Sequence, residues 1–272
     1  MAQALLYADD IVLVEDTEEK LQNAIMEWKE KLERKGMQLN VEKSKVMHVG
    51  RTDEQILEIQ CNDRRMDQVS EYEYLGVIID RNGRIDQEVL NRVKKANQVY
   101  YSICNTIVGR REVSRRAKLQ IFKTVFLPTM LYGAESWITL DKHMSRVTAA
   151  EMRYLRRIVG KNRRDRIRNE TVRQDLEVRP VSGILEERQL KWLGHASRAD
   201  ETKKIRQFLE AKPEGKRPRG RPRLAYQEYM VRLGEVRGSS WREMRRMMGD
   251  RLVWRRWTEA QNHPTLRGRR VR

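Results

Sequence analysis

The spacing of apolar residues changes at Asn82 and Gly83, and this change divides the chain into two kinds of structure in series. Before it, short apolar runs at 4–7, 11–14, 46–49 and 74–79 are bounded by turn residues and read as strands. One helix lies among them. Leu21, Ala24, Ile25, Trp28 and Leu32 recur at helical spacing, and Asp16 with Glu19 resembles a capping arrangement. Arg34, Lys35 and Gly36 supply its basic last turn and left-handed stop. After residue 83 the period is helical. Ile85, Val89, Val93, Ala96, Tyr100, Ile103 and Ile107 form one stripe. Ser114 is placed to cap a second helix carrying Leu119, Phe122 and Phe126, with Pro128 expected to close it. Met144, Val147, Leu155 and Ile158 mark a third. These stripes are read as bundle core, not as a cofactor box.

Charge divides at the same place. Residues 1–82 hold 11 Lys and Arg against 18 Asp and Glu, a net −7. The remaining 190 hold 46 against 21, a net +25, which points to a polyanionic partner. The basic residues are Arg-rich and spread over several segments, which favours nucleic acid over a membrane surface. No apolar run reaches the ~18 residues that span a bilayer, and the N-terminus lacks the basic start of a signal peptide. Two distant cysteines, Cys61 and Cys104, argue against a disulfide framework or a cysteine-rich zinc site. Histidines 48, 143, 195 and 263 are scattered, with His195 read as a packing or capping residue. An intracellular setting follows as the expectation, nuclear if the basic clusters serve import.

The stretch "LLYADDIVLV" (5–14) wedges Asp9 and Asp10 between two apolar runs. Adjacent strand residues point to opposite faces, so only a turn brings both carboxylates toward one metal cluster. Mg²⁺ prefers carboxylate oxygens together with substrate phosphates. Two such ions ~4 Å apart can activate an attacking hydroxyl and stabilise a leaving group. A solvated acidic turn is the competing reading of these letters alone.

The neighbouring segments decide between the two. "LLYADDIVLV", the helix at 16–35, "GMQLNVEKSKVM" (36–47) and "YEYLGVIID" (72–80) follow in order. Together they resemble the second half of the palm of reverse transcriptases from non-long-terminal-repeat (long interspersed element) retrotransposons. "KLQIFKTVFLPTMLYGAESW" (118–137) resembles that family's helical thumb, and "LKWLGHASR" (190–198) with "GKRPRGRPR" (215–223) its C-terminal region. The resemblance implies an α+β fold: a partial antiparallel reverse-transcriptase palm over 1–82, a mainly α-helical thumb over 83–170, and a C-terminal extension. That extension divides into a helical connector (171–211), a basic linker (212–223), a helical segment (224–260) and a basic tail (261–272).

By the same resemblance Asp9 and Asp10 are catalytic ligands of two Mg²⁺ in RNA-templated DNA synthesis. Tyr7, Lys43 and the strand residues Tyr74, Leu75 and Gly76 lie toward the primer and template. The family's further catalytic aspartate and fingers lie upstream of the hairpin, and only eight residues precede Asp9. The expectation is therefore a C-terminal fragment with an incomplete metal site, inactive alone, and the sequence leaves open both a missing palm half supplied in trans and a decayed copy with no selected role. Its remaining strands should expose a sheet edge.

Two basic stretches are candidates for nucleic-acid contact. Arg153, Arg156 and Arg157 precede a basic break containing Lys161, Arg163 and Arg164, which could follow a template–primer backbone or simply be solvated. "KRPRGRPR" (216–223) resembles an AT-hook through Arg219, Gly220, Arg221 and Pro222, flanked by Lys216, Arg217 and Arg223. Arginines suit the narrow, negative A·T minor groove, and this segment supports the alternative of a non-enzymatic DNA-binding protein. A solvated linker is the plainer reading. Trp192, Trp241, Trp254 and Trp257 are expected in helix cores, and "EERQLKWLGHASR" (186–198) as a short amphipathic helix.

Overall fold

The computed structural model describes residues 3–50, 56–211 and 224–260, with Gln3 described through its backbone alone. It divides into two compact units, 1–88 and 89–272.

The first unit opens on a hairpin. Strand β1 (Gln3–Tyr7) pairs antiparallel with β2 (Asp10–Val14) in the register Leu6 to Ile11 and Tyr7 to Asp10. Helix α1 (Glu18–Glu33) follows. Its cap is Thr17, whose Oγ1 accepts the Lys20 N–H at 3.3 Å, while Asp16 instead faces Lys20 as an exposed ion pair. The capping arrangement is thus one residue later than the sequence suggests, because Thr17 is the residue with extended backbone. Gly36 takes the left-handed turn, at φ +72°.

Four short strands come next: β3 (Lys45–Val46), β4 (Gln60–Cys61), β5 (Arg64–Arg65) and β6 (Asp67–Gln68). The strand expected over 46–49 shrinks to β3, and it pairs parallel with β6. A purely antiparallel palm remnant is therefore corrected at this pair. Asn62 and Asp63, at φ +53° and +56°, turn β4 back onto β5.

Leu57, Ile59 and Cys61 alternate inward and join Ile25, Val46 and Met66 in the core of this unit. The backbone of that stretch is held largely by side chains. Gln22 both accepts the Gln60 N–H and donates to the Gln60 carbonyl, each at 2.8 Å, and Gln68 accepts the Leu57 N–H. The single strand expected over 74–79 is a second correction. It is a hairpin of β7 (Glu71–Tyr74) and β8 (Val77–Asp80). Leu75 and Gly76 both have positive φ, the geometry of a two-residue turn that matches strand twist.

The second unit is helical. Helix α2 (Asp86–Ile103) runs into a π turn, Cys104–Val108, and ends at Gly109. Ser114 caps α3 (Arg115–Ile121), its hydroxyl accepting from Ala117 N–H. Pro128 does not close this helix. The chain passes through a π turn at Phe122–Phe126 into α4 (Leu127–Met130), with the proline in its first turn. Reversal comes instead at Gly133, φ +69°.

Helix α5 (Asp141–Ile158) buries Met144, Val147, Leu155 and Ile158, as its stripe predicts. Phe122, Phe126 and Tyr154 pack ring to ring, with centroids 4.9–5.5 Å apart. Helix α6 (Asn169–Asp175) leads to α7 (Val181–Ser197), the segment expected to be short and amphipathic. It is 17 residues long and buried on most of its surface, because other helices surround it. After α8 (Lys204–Glu210), the described chain resumes as α9 (Tyr226–Val236), α10 (Trp241–Gly249) and α11 (Arg251–Glu259).

Trp254, 2% exposed, packs with Leu190, Leu193, Met230 and Met244, and its Nε1–H donates to the Leu190 carbonyl at 2.9 Å. Gly194 lets it approach: a Cβ there would lie 2.2 Å from Trp254 Nε1. The start of α7 is fixed by Glu151, wholly buried, which accepts the Val181 N–H at 3.0 Å and pairs with Arg173 at 2.7 Å. Trp192 departs from expectation. It is 39% exposed and stacks on exposed His195, one turn along on the outer face of α7.

Candidate metal-binding hairpin and basic cleft

The β1–β2 connection contains only Ala8 and Asp9, since Tyr7 and Asp10 are register partners. Ala8 has φ +53°, a left-handed conformation that costs a non-glycine residue on the order of 1 kcal/mol. This tight turn places Asp9 at the tip and Asp10 at the first position of β2. Both are exposed, and among the described residues neither carboxylate has a hydrogen-bond or ion-pair partner. Oxygen donors without competing partners suit a hard divalent cation such as Mg²⁺. Among the described residues, however, no three His, Cys, Asp or Glu side chains gather as a metal site.

Tyr7 is 63% exposed beside the pair, and Leu5 and Leu6 are also more than half exposed. Among the described residues β1 and β2 pair only with each other. Tyr74, Leu75 and Gly76 form the tip of the separate β7–β8 hairpin. Lys43 lies on an exposed turn, its backbone N–H bound to Asn40 Oδ1 at 3.1 Å.

The second candidate is a cleft of about 830 Å³ in the helical unit, running along α5 to the loop before α6. Arg153, Arg156, Arg157, Lys161 and Arg163 line it. The first three sit at i, i+3 and i+4 on one helix face. They do different work. Arg156 is half-buried and donates to the Ile167 carbonyl at 2.7 Å and to Asn169 Oδ1 at 2.9 Å, clamping the loop to the helix end. Arg153 donates to Asn97 Oδ1 at 2.7 Å and lies over the Tyr101 ring. Asn162 orders the same loop, accepting from Arg164 N–H at 2.7 Å and donating its own N–H to Asp165. Arg164 is exposed on this loop but does not line the cleft. Tyr100 borders the cleft. Burial, then Cys104, raises its hydroxyl pKa, with Arg157 and Arg153 opposing, so it is a neutral donor at pH 7.

Thr148, Asn162 and Asn169 also line the cleft and were not singled out in the sequence. The hydroxyl of Thr148 is buried without a partner. Only the i+4 spacing to Met152 could have marked it, and that is indistinguishable from a core stripe. Lys216, Arg217, Arg219, Gly220, Arg221, Pro222 and Arg223 lie outside the described residues.

No helix among the described residues is long and apolar enough to cross a membrane. Residues 1–79 match the family model described as reverse transcriptase (RNA-dependent DNA polymerase). An uncharacterized transposon-derived protein of Caenorhabditis elegans is 28% identical over 203 residues, 71% of each chain. The RNA-directed DNA polymerase of the mobile element jockey of Drosophila melanogaster is 24% identical over 103 residues. That stretch is 38% of this chain and 11% of the polymerase. The polymerase assigned to the X-element transposon of the same fly is 29% identical over 112 residues, 40% of this chain and 12% of that one. No solved structure matches. The hairpin unit thus carries a reverse-transcriptase match, the chain is similar over most of its length to a transposon-derived protein, and both findings support a relationship to retrotransposon reverse transcriptases.

Proposed function

We propose that the chain serves an RNA-directed DNA polymerase of the long interspersed element type, contributing two metal-binding carboxylates and a helical unit that holds nucleic acid. The observation that carries this reading is the pair Asp9 and Asp10, uncommitted at the tip of a two-residue hairpin turn, inside the segment that matches reverse transcriptases. Mg²⁺ held there would supply activation of a primer 3′-hydroxyl and charge neutralisation at the departing pyrophosphate. Tyr7, exposed next to the pair, would approach the primer end in this reading. The template–primer would lie against the basic helical unit, whose charge favours phosphate contact and a steep salt dependence.

Two carboxylates bind Mg²⁺ weakly unless substrate phosphates and a further ligand complete the shell. In this reading polymerisation needs a further palm carboxylate beyond Asp9 and Asp10. Primer extension on an RNA template, with the 272-residue chain alone and with an added upstream palm segment, tests it. The expected result is no extension alone, and Mg²⁺-dependent extension on complementation that Asp9→Ala abolishes. Complemented extension that survives both Asp9→Ala and Asp10→Ala would refute the assignment. Affinity for A·T-rich duplex lost in Arg219→Ala/Arg221→Ala, with no primer–template binding, would favour the DNA-binding alternative.

A further inference from the structure

The cleft beside α5 holds more positive charge than its internal contacts use. Arg153 and Arg156 are committed to Asn97, Ile167 and Asn169. The side chains of Arg157, Lys161 and Arg163 line the same cleft, and among the described residues none of them makes a hydrogen bond or ion pair. Asp141 is the single carboxylate among the lining residues. Converging cations repel one another unless an anion enters, so this arrangement raises the local concentration of anions.

Two further observations bear on the class of anion. Thr148, 7% exposed, lines the wall with its hydroxyl unpartnered, and a buried hydroxyl in that state costs about 1–3 kcal/mol. A helical threonine has two accessible χ1 wells, so a rotation can present this donor to a ligand. Further cations lie beside Arg157. The Arg157 guanidinium packs against Gly109, where a Cβ would lie 2.5 Å from Nη2, and exposed Arg110 and Arg111 follow directly. Guanidinium groups match the paired oxygens of a phosphate. A volume of about 830 Å³ admits a nucleotide or two but not a duplex, which could rest only on the rim.

We propose that this cleft binds phosphate groups, those of a single nucleic-acid strand, through Arg157, Lys161 and Arg163, with Arg153 and Arg156 as positioning residues and Thr148 as an added donor. The proposal deepens the nucleic-acid reading above and rests on it for the source of the phosphate. A free phosphate ester offers the same chemistry.

The experiment uses the full chain with two probes: a fluorescent oligodeoxythymidylate of about twelve nucleotides followed by anisotropy, and inorganic phosphate followed by ³¹P line broadening. Lys161→Gln/Arg163→Gln alters exposed side chains only and is expected to keep the fold, checked by circular dichroism. It should weaken strand binding by about tenfold at ~50 mM salt and flatten the log–log salt slope by about 1.4. Thr148→Val should weaken it about threefold. Strand binding unchanged in both variants, with phosphate broadening lost, would keep the site and make its ligand a free phosphate. Phosphate broadening that depends on these residues, in a chain that binds no nucleic acid at all, would keep the site and remove the function proposed above. If neither probe responds to either variant, or neither binds the parent chain, the proposal is overturned.

Discussion

The 1–88 unit gathers its core from α1, two-residue strands and one extended stretch, whereas the helical unit closes around α7, whose Leu185, Leu190 and Leu193 are almost wholly buried. In the first, Gln22, Gln68 and Glu18 satisfy backbone groups that a wider sheet would satisfy with its own strands. In the second, side chains fix helix ends from inside the core, as Glu151 does for Val181 and Gln189 does for the carbonyls of Ala134 and Trp137. The part that carries the reverse-transcriptase match is the part with the sparser core. The candidate metal-binding carboxylates and most of the buried core therefore belong to different units. Asp9 and Asp10 occupy an exposed tip where substitution costs little packing, and the helical unit supplies most of the buried apolar surface.

The sharpest way to break this comparison is Trp254→Ala. It removes a side chain 2% exposed and its bond to Leu190, so the helical unit should lose about 3–5 kcal/mol. Hydrogen exchange should show lost protection in α5, α7 and α11 with β1, β2 and α1 unchanged. Equal loss in both units would mean that they are not independent. Glu151→Ala leaves Arg173 buried without its partner and frees the start of α7, again about 3–5 kcal/mol by chemical denaturation.

Alkaline pH should separate the units next. Burial pushes the hydroxyls of Tyr154 and Tyr229 up to about 12, from an ordinary value of 10. Their folded pKa values are raised, so the native state keeps protons that the unfolded state releases. This stability is present below pH 10 and declines as pH rises through about 12. It is worth on the order of 2–3 kcal/mol per tyrosine. Absorbance titration near the tyrosinate band, repeated on Tyr154→Phe, should show a shallower decline in the variant.

Gly194→Ala forces a methyl group against the Trp254 indole and should cost about 1–3 kcal/mol, read as a lower melting temperature. Smallest is Ile59→Val in the first unit, about 0.5–1.5 kcal/mol. Because that core has few members, the same loss should appear as faster proteolysis of 1–88 while 89–260 persists. Cleavage of the helical unit first would reverse the comparison.

Some of this architecture was legible in the residues themselves. The hairpin around Asp9 and Asp10, the body of α1 with its Gly36 stop, the Ser114 cap and the α5 stripe rest on local signals: turn residues, caps and a single apolar period. The clustering of Arg153, Arg156 and Arg157 was legible too, since helical spacing alone places them on one face. Which of them is free was not. The loop at 160–169 folds back and captures Arg156, leaving Arg157 beside Gly109, and no local rule encodes that return.

Long-range partners decided the rest. Tyr74 to Ile79 carries the apolar character of one strand, yet Leu75 and Gly76 turn it into a hairpin because each half pairs with the other. Leu57, Ile59 and Cys61 alternate inward while Glu18 and Gln22 of α1 accept the N–H groups of the residues between them, Glu58 and Gln60. Pro128 passes within a helical run because a π turn precedes it. Trp192 and Trp254 are equally apolar, but Gly194 opens space for one against α7 while the other faces outward on the same helix. By itself the sequence determined which segments wind and where carboxylates and cations cluster along them. Tertiary packing decided which side chains are spent on structure and which remain available to a ligand, because a hydrogen bond committed across the fold is no longer free to bind one.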